Sequence, residues 1–268
     1  MTTAPQPGRT WAPGSLAPTP AAARLPRMLA AQARAELTLV LRNSEQVLLS
    51  LVIPLGLLVL LVAVPFVSVE GADTRAGRAD FFVPGVLALA VMSTAFTGQA
   101  ISVGFERQYG VLKRLGATPL PRSVLLGAKT LAVLAVEVLQ VALIAGVGLA
   151  LGWEPRGSLA AAALLVVLGT AAFSGLGLLL GGTLRGLTTL AAANLLWFVL
   201  LVLGGMLFPL SAFGGAEPVR SLLPSAALSG GLREVLQDGA GLALRELLAL
   251  SVCAVGALGA ASRLFRWE

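Results

Sequence analysis

Glu137 is the residue whose chemistry is hardest to explain away in this 268-residue chain. It stands near the middle of a long apolar run, residues 124–152, whose only other strongly polar side chains are Lys129 and Gln140. An ionised carboxylate in hydrocarbon costs about 2.5–3.5 kcal/mol, so such a group must face protein or water. Two readings follow. Glu137 and Gln140, three residues apart, form a polar patch lining a pathway or a subunit interface; or Glu137 is a carboxylic acid hydrogen-bonded between helices. Lys129 is two turns away, too far to pair with Glu137 along one helix, and its long stem can snorkel to the nearer interface. Other chemistry is excluded by what is missing. The chain has no histidine and a single cysteine, Cys253. Zinc ligand sets, Ser-His-Asp or Cys-His nucleophiles and an internal disulfide are therefore ruled out. A membrane-embedded enzyme would want clustered ionisable groups at helix ends, and Glu137 stands alone. No GxxxxGK[ST] phosphate loop occurs, and no polar segment is long enough to house a nucleotide-binding domain. The chain binds no cofactor of its own and is not an enzyme by itself.

The elements that position these residues are apolar helices. The chain is 57% hydrophobic and 12% charged, with mean hydropathy +0.89. Soluble domains average about 45–50% apolar and about 25% charged. So little charge cannot cover a water-exposed surface, and lipid is the second solvent. Residues 1–23, rich in Pro, Ala and Thr, read as a disordered tail without the apolar core of a signal peptide. Residues 24–46 mix apolar positions at helical spacing with Arg27, Arg34 and Arg42, the pattern of an amphipathic helix on a membrane surface. Six spans follow, at about 47–67, 81–104, 124–152, 159–181, 188–209 and 243–262. Residues 263–268 close the chain. The expectation is an all-α membrane protein with six transmembrane helices, 47–262, preceded by an interfacial helix.

Basic residues set the orientation. Arg9, Arg24, Arg27, Arg34, Arg42, Arg107, Lys113, Arg114, Arg122, Arg185, Arg263 and Arg266 fall on one side of this topology. They outnumber those on the other side about two to one, which puts both termini in the cytoplasm. Their spread over membrane-flanking connections, not one soluble face, argues against nucleic acid. Trp153 and Trp267 fall near expected interfaces, and Trp197 inside the fifth span packs against another helix. The pairs Gly148/Gly152 and Gly177/Gly181 let helices approach closely.

The connection FERQYGVLKRLGATPLPRS, residues 105–123, is short and basic. Glu106 to Leu115 can form a helix ending at Gly116, before Pro119 and Pro121. An amphipathic helix held between two spans can dock in a partner's groove; the same composition also suits an ordinary positive-inside loop. This stretch resembles the segment after the second span of ABC-2-type transporter permeases. The resemblance is carried by Glu106, Arg107, Gly110, Leu112, Arg114, Leu115, Thr118, Pro119, Leu126 and Lys129. A second similarity, to that family's fifth span and outer loop, is carried by Asn194, Gly204, Gly205, Phe208, Pro209, Pro224, Gly231, Leu232 and Arg233. Together the two cover roughly residues 24–262.

The resemblance implies more than the residues do. It implies an ABC-2, type V exporter-like transmembrane domain in the bacterial plasma membrane, with daunorubicin-efflux permeases looking nearest. Two six-span subunits, alike or different, would pair, each contacting a cytosolic ABC ATPase subunit that holds the ATP and Mg. Glu106, Arg107, Tyr109, Gly110, Leu112, Lys113, Arg114 and Leu115 would form the ATPase-coupling helix, with the 24–46 helix beside it. The outer loop would fold as short helices dipping back toward the membrane. The expected function is export of a lipophilic drug, lipid or glycan-type substrate. A non-pumping assembly or scaffold protein, or a secondary transporter, is the alternative; ion-coupled carriers usually show interrupted helices in repeated halves, and no such pairing is visible.

Overall fold

The computed structural model describes residues 23–64, 74–207 and 223–265. Residues 1–22 of the expected 1–23 tail, the end of the first expected span (65–67), Phe208, Pro209, the loop to residue 222, and residues 266–268 with Trp267 lie outside the described residues. Every regular element among the described residues is helical, with no strand.

The chain runs α1 Leu25–Arg42, α2 Ser44–Ala63, α3 Arg75–Met92, a π-helical segment Ser93–Gly98, α4 Gln99–Gln108, α5 Val111–Gly116 and α6 Arg122–Ala150. It continues through α7 Leu159–Thr183, α8 Gly186–Leu203, α9 Pro224–Leu236 and α10 Leu244–Leu264. Five helical stretches are long and apolar enough to cross a membrane, or six when α1 and the adjoining Val47–Ala63 are counted as one bent span. α3, the π segment and α4 form one such stretch, Arg75–Gln108.

Several boundaries differ from the sequence expectation for local reasons. The 24–46 helix is two helices, separated at Asn43, where the chain turns by 68°. The second crossing starts earlier than residue 81, because Thr74 Oγ1 caps it by accepting the Gly77 amide at 3.0 Å. The fifth ends at Leu203, where Gly204 and Gly205 turn the chain, Gly205 in the left-handed region at φ 64°.

The core is the second crossing. From Phe81 to Met92 every residue is buried; α2, α6, α7, α8 and α9 pack around it, and α10 lies on the far side against α7 and α9. Glycines allow the closest contacts. A Cβ on Gly177 would stand 2.7 Å from the Phe96 carbonyl oxygen, and one on Gly181 2.6 Å from that of Ala100. The Gly177/Gly181 pair is thus spent on seating α7 against the second crossing within the chain. Trp153 lies buried against its own helix beside Gly148, because Gly152 reverses the chain at φ 97° and the Trp153 amide bonds back to the Gly148 carbonyl at 2.9 Å.

Two ends are distinguishable. One carries α1, α5 and the ends of α4, α7 and α10. The other carries α9 and the starts of α3, α7 and α10.

Candidate functional site

At the α1/α5 end the second crossing does not run on through residue 115. It stops at Gln108, and Gly110 takes φ 71°, a left-handed conformation that breaks the helix. The short α5 then starts at Val111. The expected Glu106–Leu115 helix is therefore two pieces, with Glu106 and Arg107 on the end of the crossing and Leu112, Lys113, Arg114 and Leu115 on α5. Leu112 is fully buried among Val103, Leu125, Leu126 and Phe265. That anchor turns Tyr109, Val111, Lys113 and Arg114 outward, all exposed. Phe105 and Tyr109 stack at 6.0 Å on the end of α4, just before the break. The arrangement is a short two-faced helix, apolar inside and basic-aromatic outside, clamped between two crossings.

Behind it lies a charged clasp. Lys129 is buried, and its Nζ donates to Glu36 Oε2 at 2.9 Å and to the Glu106 carboxylate at 2.8 Å. Gln32 donates to Glu36 at 2.8 Å, and Ser102 to Glu106 at 3.1 Å. Lys129 does not snorkel outward, because two carboxylates from other helices surround it. Glu106 turns its carboxylate to this clasp. α1, α6 and the end of α4 are so tied at one point, one turn behind α5. Arg27, Arg34 and Arg42 lie on the exposed face of α1, away from the clasp.

Glu137 and Gln140 do not form one patch. Glu137 is fully buried and meets the Thr170 hydroxyl of α7, which also bonds the Val166 carbonyl at 2.8 Å. Gln140 turns the other way, with Nε2 donating to the Ser50 carbonyl of α2 and to Thr94 Oγ1 of the π segment, both at 3.0 Å. Each is an interhelical tie to a different neighbour.

Gln140 backs the wall of a cleft of about 660 Å³ between α2, the π segment and α8. Its wall is mainly apolar. Asn43, Glu45, Ser50, Ser93, Thr94, Thr97, Asn194 and Trp197 supply the polar points, Glu45 among them the one charged group. Trp197 Nε1 donates to Ser93 Oγ at 2.9 Å while Ser93 donates to the Leu89 carbonyl at 2.7 Å, so the fifth crossing is pinned to the π segment. Thr97 Oγ1 has no hydrogen-bond partner among the described residues. Extra-wide π turns recur at functional positions inside helices. Its residues, Ser93–Gly98, interrupt the apolar run with small polar side chains, but nothing in their spacing marks a π turn. Among the described residues no group of His, Cys, Asp and Glu could hold a metal ion.

Comparison with curated proteins returns no match. The family described as ABC-2 family transporter protein matches residues 60–263, a stretch that contains the second to sixth crossings, α5, the π segment and α9. With that match over most of its length, and with its multi-pass helical membrane architecture, this chain belongs to the ABC-2 family of transporter membrane proteins.

Proposed function

We propose that this chain is the permease subunit of an ATP-driven exporter, powered by a separate cytosolic ATPase that docks on α5. The observation that carries the reading is the two-faced geometry of α5. Buried Leu112 fixes it to the bundle while Tyr109, Val111, Lys113 and Arg114 face out, and the Lys129 clasp ties its root to α1 and α6. A partner that moves α5 therefore moves three elements together. Nucleotide must favour one of two conformations for that movement to do work, and a docked helix held at its root transmits the difference. The α1/α5 end carries most of the basic residues, so it faces the cytosol with both termini.

The cleft supports an amphiphilic cargo, with an apolar body against α2 and α8 and a few hydrogen-bonding groups against Thr94, Thr97 and Asn194. A drug or lipid of that kind fits better than a long glycan. A second copy or a related permease completes the transport path, since α8 and α10 leave broad apolar faces exposed.

The test is Arg114→Glu in the chain co-expressed with its ATPase. Reversing the charge on the outer face of α5 lowers the yield of co-purified ATPase by about tenfold, the ratio of a well-placed charged contact across an interface. Unchanged complex yield together with unchanged permease-stimulated hydrolysis would contradict the reading.

A further inference from the structure

Where α8 stops, three consecutive carbonyls lose their helical partners, and one face of α9 supplies the donors. Ser229 Oγ donates to the Gly204 carbonyl at 2.6 Å. Arg233, one turn further along α9, donates through Nη1 to the Gly205 carbonyl at 2.6 Å and through Nη2 to the Met206 carbonyl at 2.7 Å. Its Nε reaches the Phe81 carbonyl at 3.4 Å, and the guanidinium lies 4.2 Å from the Phe81 ring centroid. Ser225, a turn earlier, packs on Gly204. Residues four apart share one helix face, so Ser225, Ser229 and Arg233 form a single gripping edge.

Two features set this grip apart from ordinary capping. Arg233 is largely buried with no carboxylate partner among the described residues, whereas Lys129 has two and Arg156 one. Carbonyl oxygens and the face of the Phe81 ring hold a full charge there. The second crossing also makes room for it, since a Cβ on Gly85 would collide with the Met206 carbonyl and approach Arg233 Nη2 to 2.9 Å. The next residue, Leu207, lines the cleft with Leu201. The carbonyl of Met206 is thus the last backbone group fixed before the chain enters the cleft wall.

We propose that Arg233, seconded by Ser229, is a positioning residue that sets Leu207 and so the width of the cleft at its α9 end. It acts through the backbone of residues 204–206 and touches no cargo. The proposal rests on the cleft being the transport path. With the grip intact the α9 end of the cleft is closed by Leu207; when α9 shifts relative to α3, three donors leave together and the end of α8 is released. The two-sided hold on Phe81 and on Met206 makes that shift a discrete step.

The test reads the accessibility of Leu207 in the purified full chain, carrying Cys253→Ser and Leu207→Cys, by its rate of maleimide labelling. Arg233→Met speeds labelling about tenfold, as loss of charged hydrogen bonds to two carbonyls requires. Arg233→Lys falls between, because one ammonium cannot span the same carbonyls. Ser229→Ala speeds it by a few fold. A control cysteine replacing Leu195, in the middle of α8, labels at the parent rate throughout. Unchanged labelling of Leu207→Cys in Arg233→Met and Ser229→Ala overturns the proposal, as does equal acceleration at Leu195→Cys, which would mean general loosening. If Arg233→Met does not accumulate, Ser229→Ala and Arg233→Lys decide on the same terms. Labelling needs neither cargo nor nucleotide, so its outcome is separate from the fate of the exporter reading.

Discussion

Lys129 places one ammonium between Glu36 and Glu106, so removing it strands two buried carboxylates side by side. Breaking a buried pair in this way costs about 3–5 kcal/mol. Lys129→Met should lower the unfolding temperature of the purified chain sharply, and adding Glu36→Gln to it should restore a large part; no rescue would show that the clasp is not the cause. Glu234, at the α9 end, has the opposite logic. Its carboxyl is held above the usual range by partial burial and by the neighbouring Glu246 and Asp238 carboxylates. A raised carboxyl pKa means that ionisation disfavours the fold, so the penalty is absent in acid and grows as pH rises through the carboxylate range. Glu234→Gln should therefore raise the unfolding temperature at neutral pH and lose that advantage on acidification; a shift independent of pH would sink this account. At this scale the sequence was readable in type but not in partner. Lys129 and Glu137 stood out as polar groups in an apolar run, yet Lys129 pairs with residues 93 and 23 positions away, and Glu137 and Gln140 turn to different helices. Spacing along one helix says which face a residue occupies, not which neighbour covers it.

Elements were legible where they rest on long apolar runs and obscure where they rest on single backbone choices. The crossings emerge from run length because lipid demands it. The break at Gly110 was missed, since a glycine inside a helical pattern is compatible with either continuation or a stop; only its φ of 71° decides. The π segment was invisible for the same reason. Residues 75–80, the end of the polar loop expected before the second crossing, belong to that crossing because Thr74 caps it. Close helix approach is the element-scale feature most open to test. Gly177 seats α7 directly on the Phe96 carbonyl, so Gly177→Val forces the two crossings apart. An overpacked site of this kind costs about 1–3 kcal/mol. The substitution should lower the unfolding temperature, while Gly256→Val on α10, where nothing lies within 4 Å of the added Cβ, should not. Equal effects at both would show that the glycine contact carries no weight.

The whole molecule is a bundle around one buried crossing, gripped at both ends by charge. Lys129 ties the α5 end and Arg233 ties the α9 end, and the cleft lies between them along α2 and α8. Family and all-helical membrane architecture were within reach of the sequence, because the basic connection and the late Gly/Pro-marked segment stand in order among the apolar runs, and the family match over residues 60–263 includes both. The cleft was not, since it is made by three crossings far apart in the chain. The most direct test of the central claim uses a photo-crosslinking amino acid at Val111, on the outer face of α5, and in a second variant at Gln237, just past α9. In membranes containing the co-expressed ATPase, Val111 should crosslink to that ATPase and Gln237 should not. Crosslinking from Gln237 alone, or from neither position while the complex still hydrolyses ATP under permease stimulation, would contradict it.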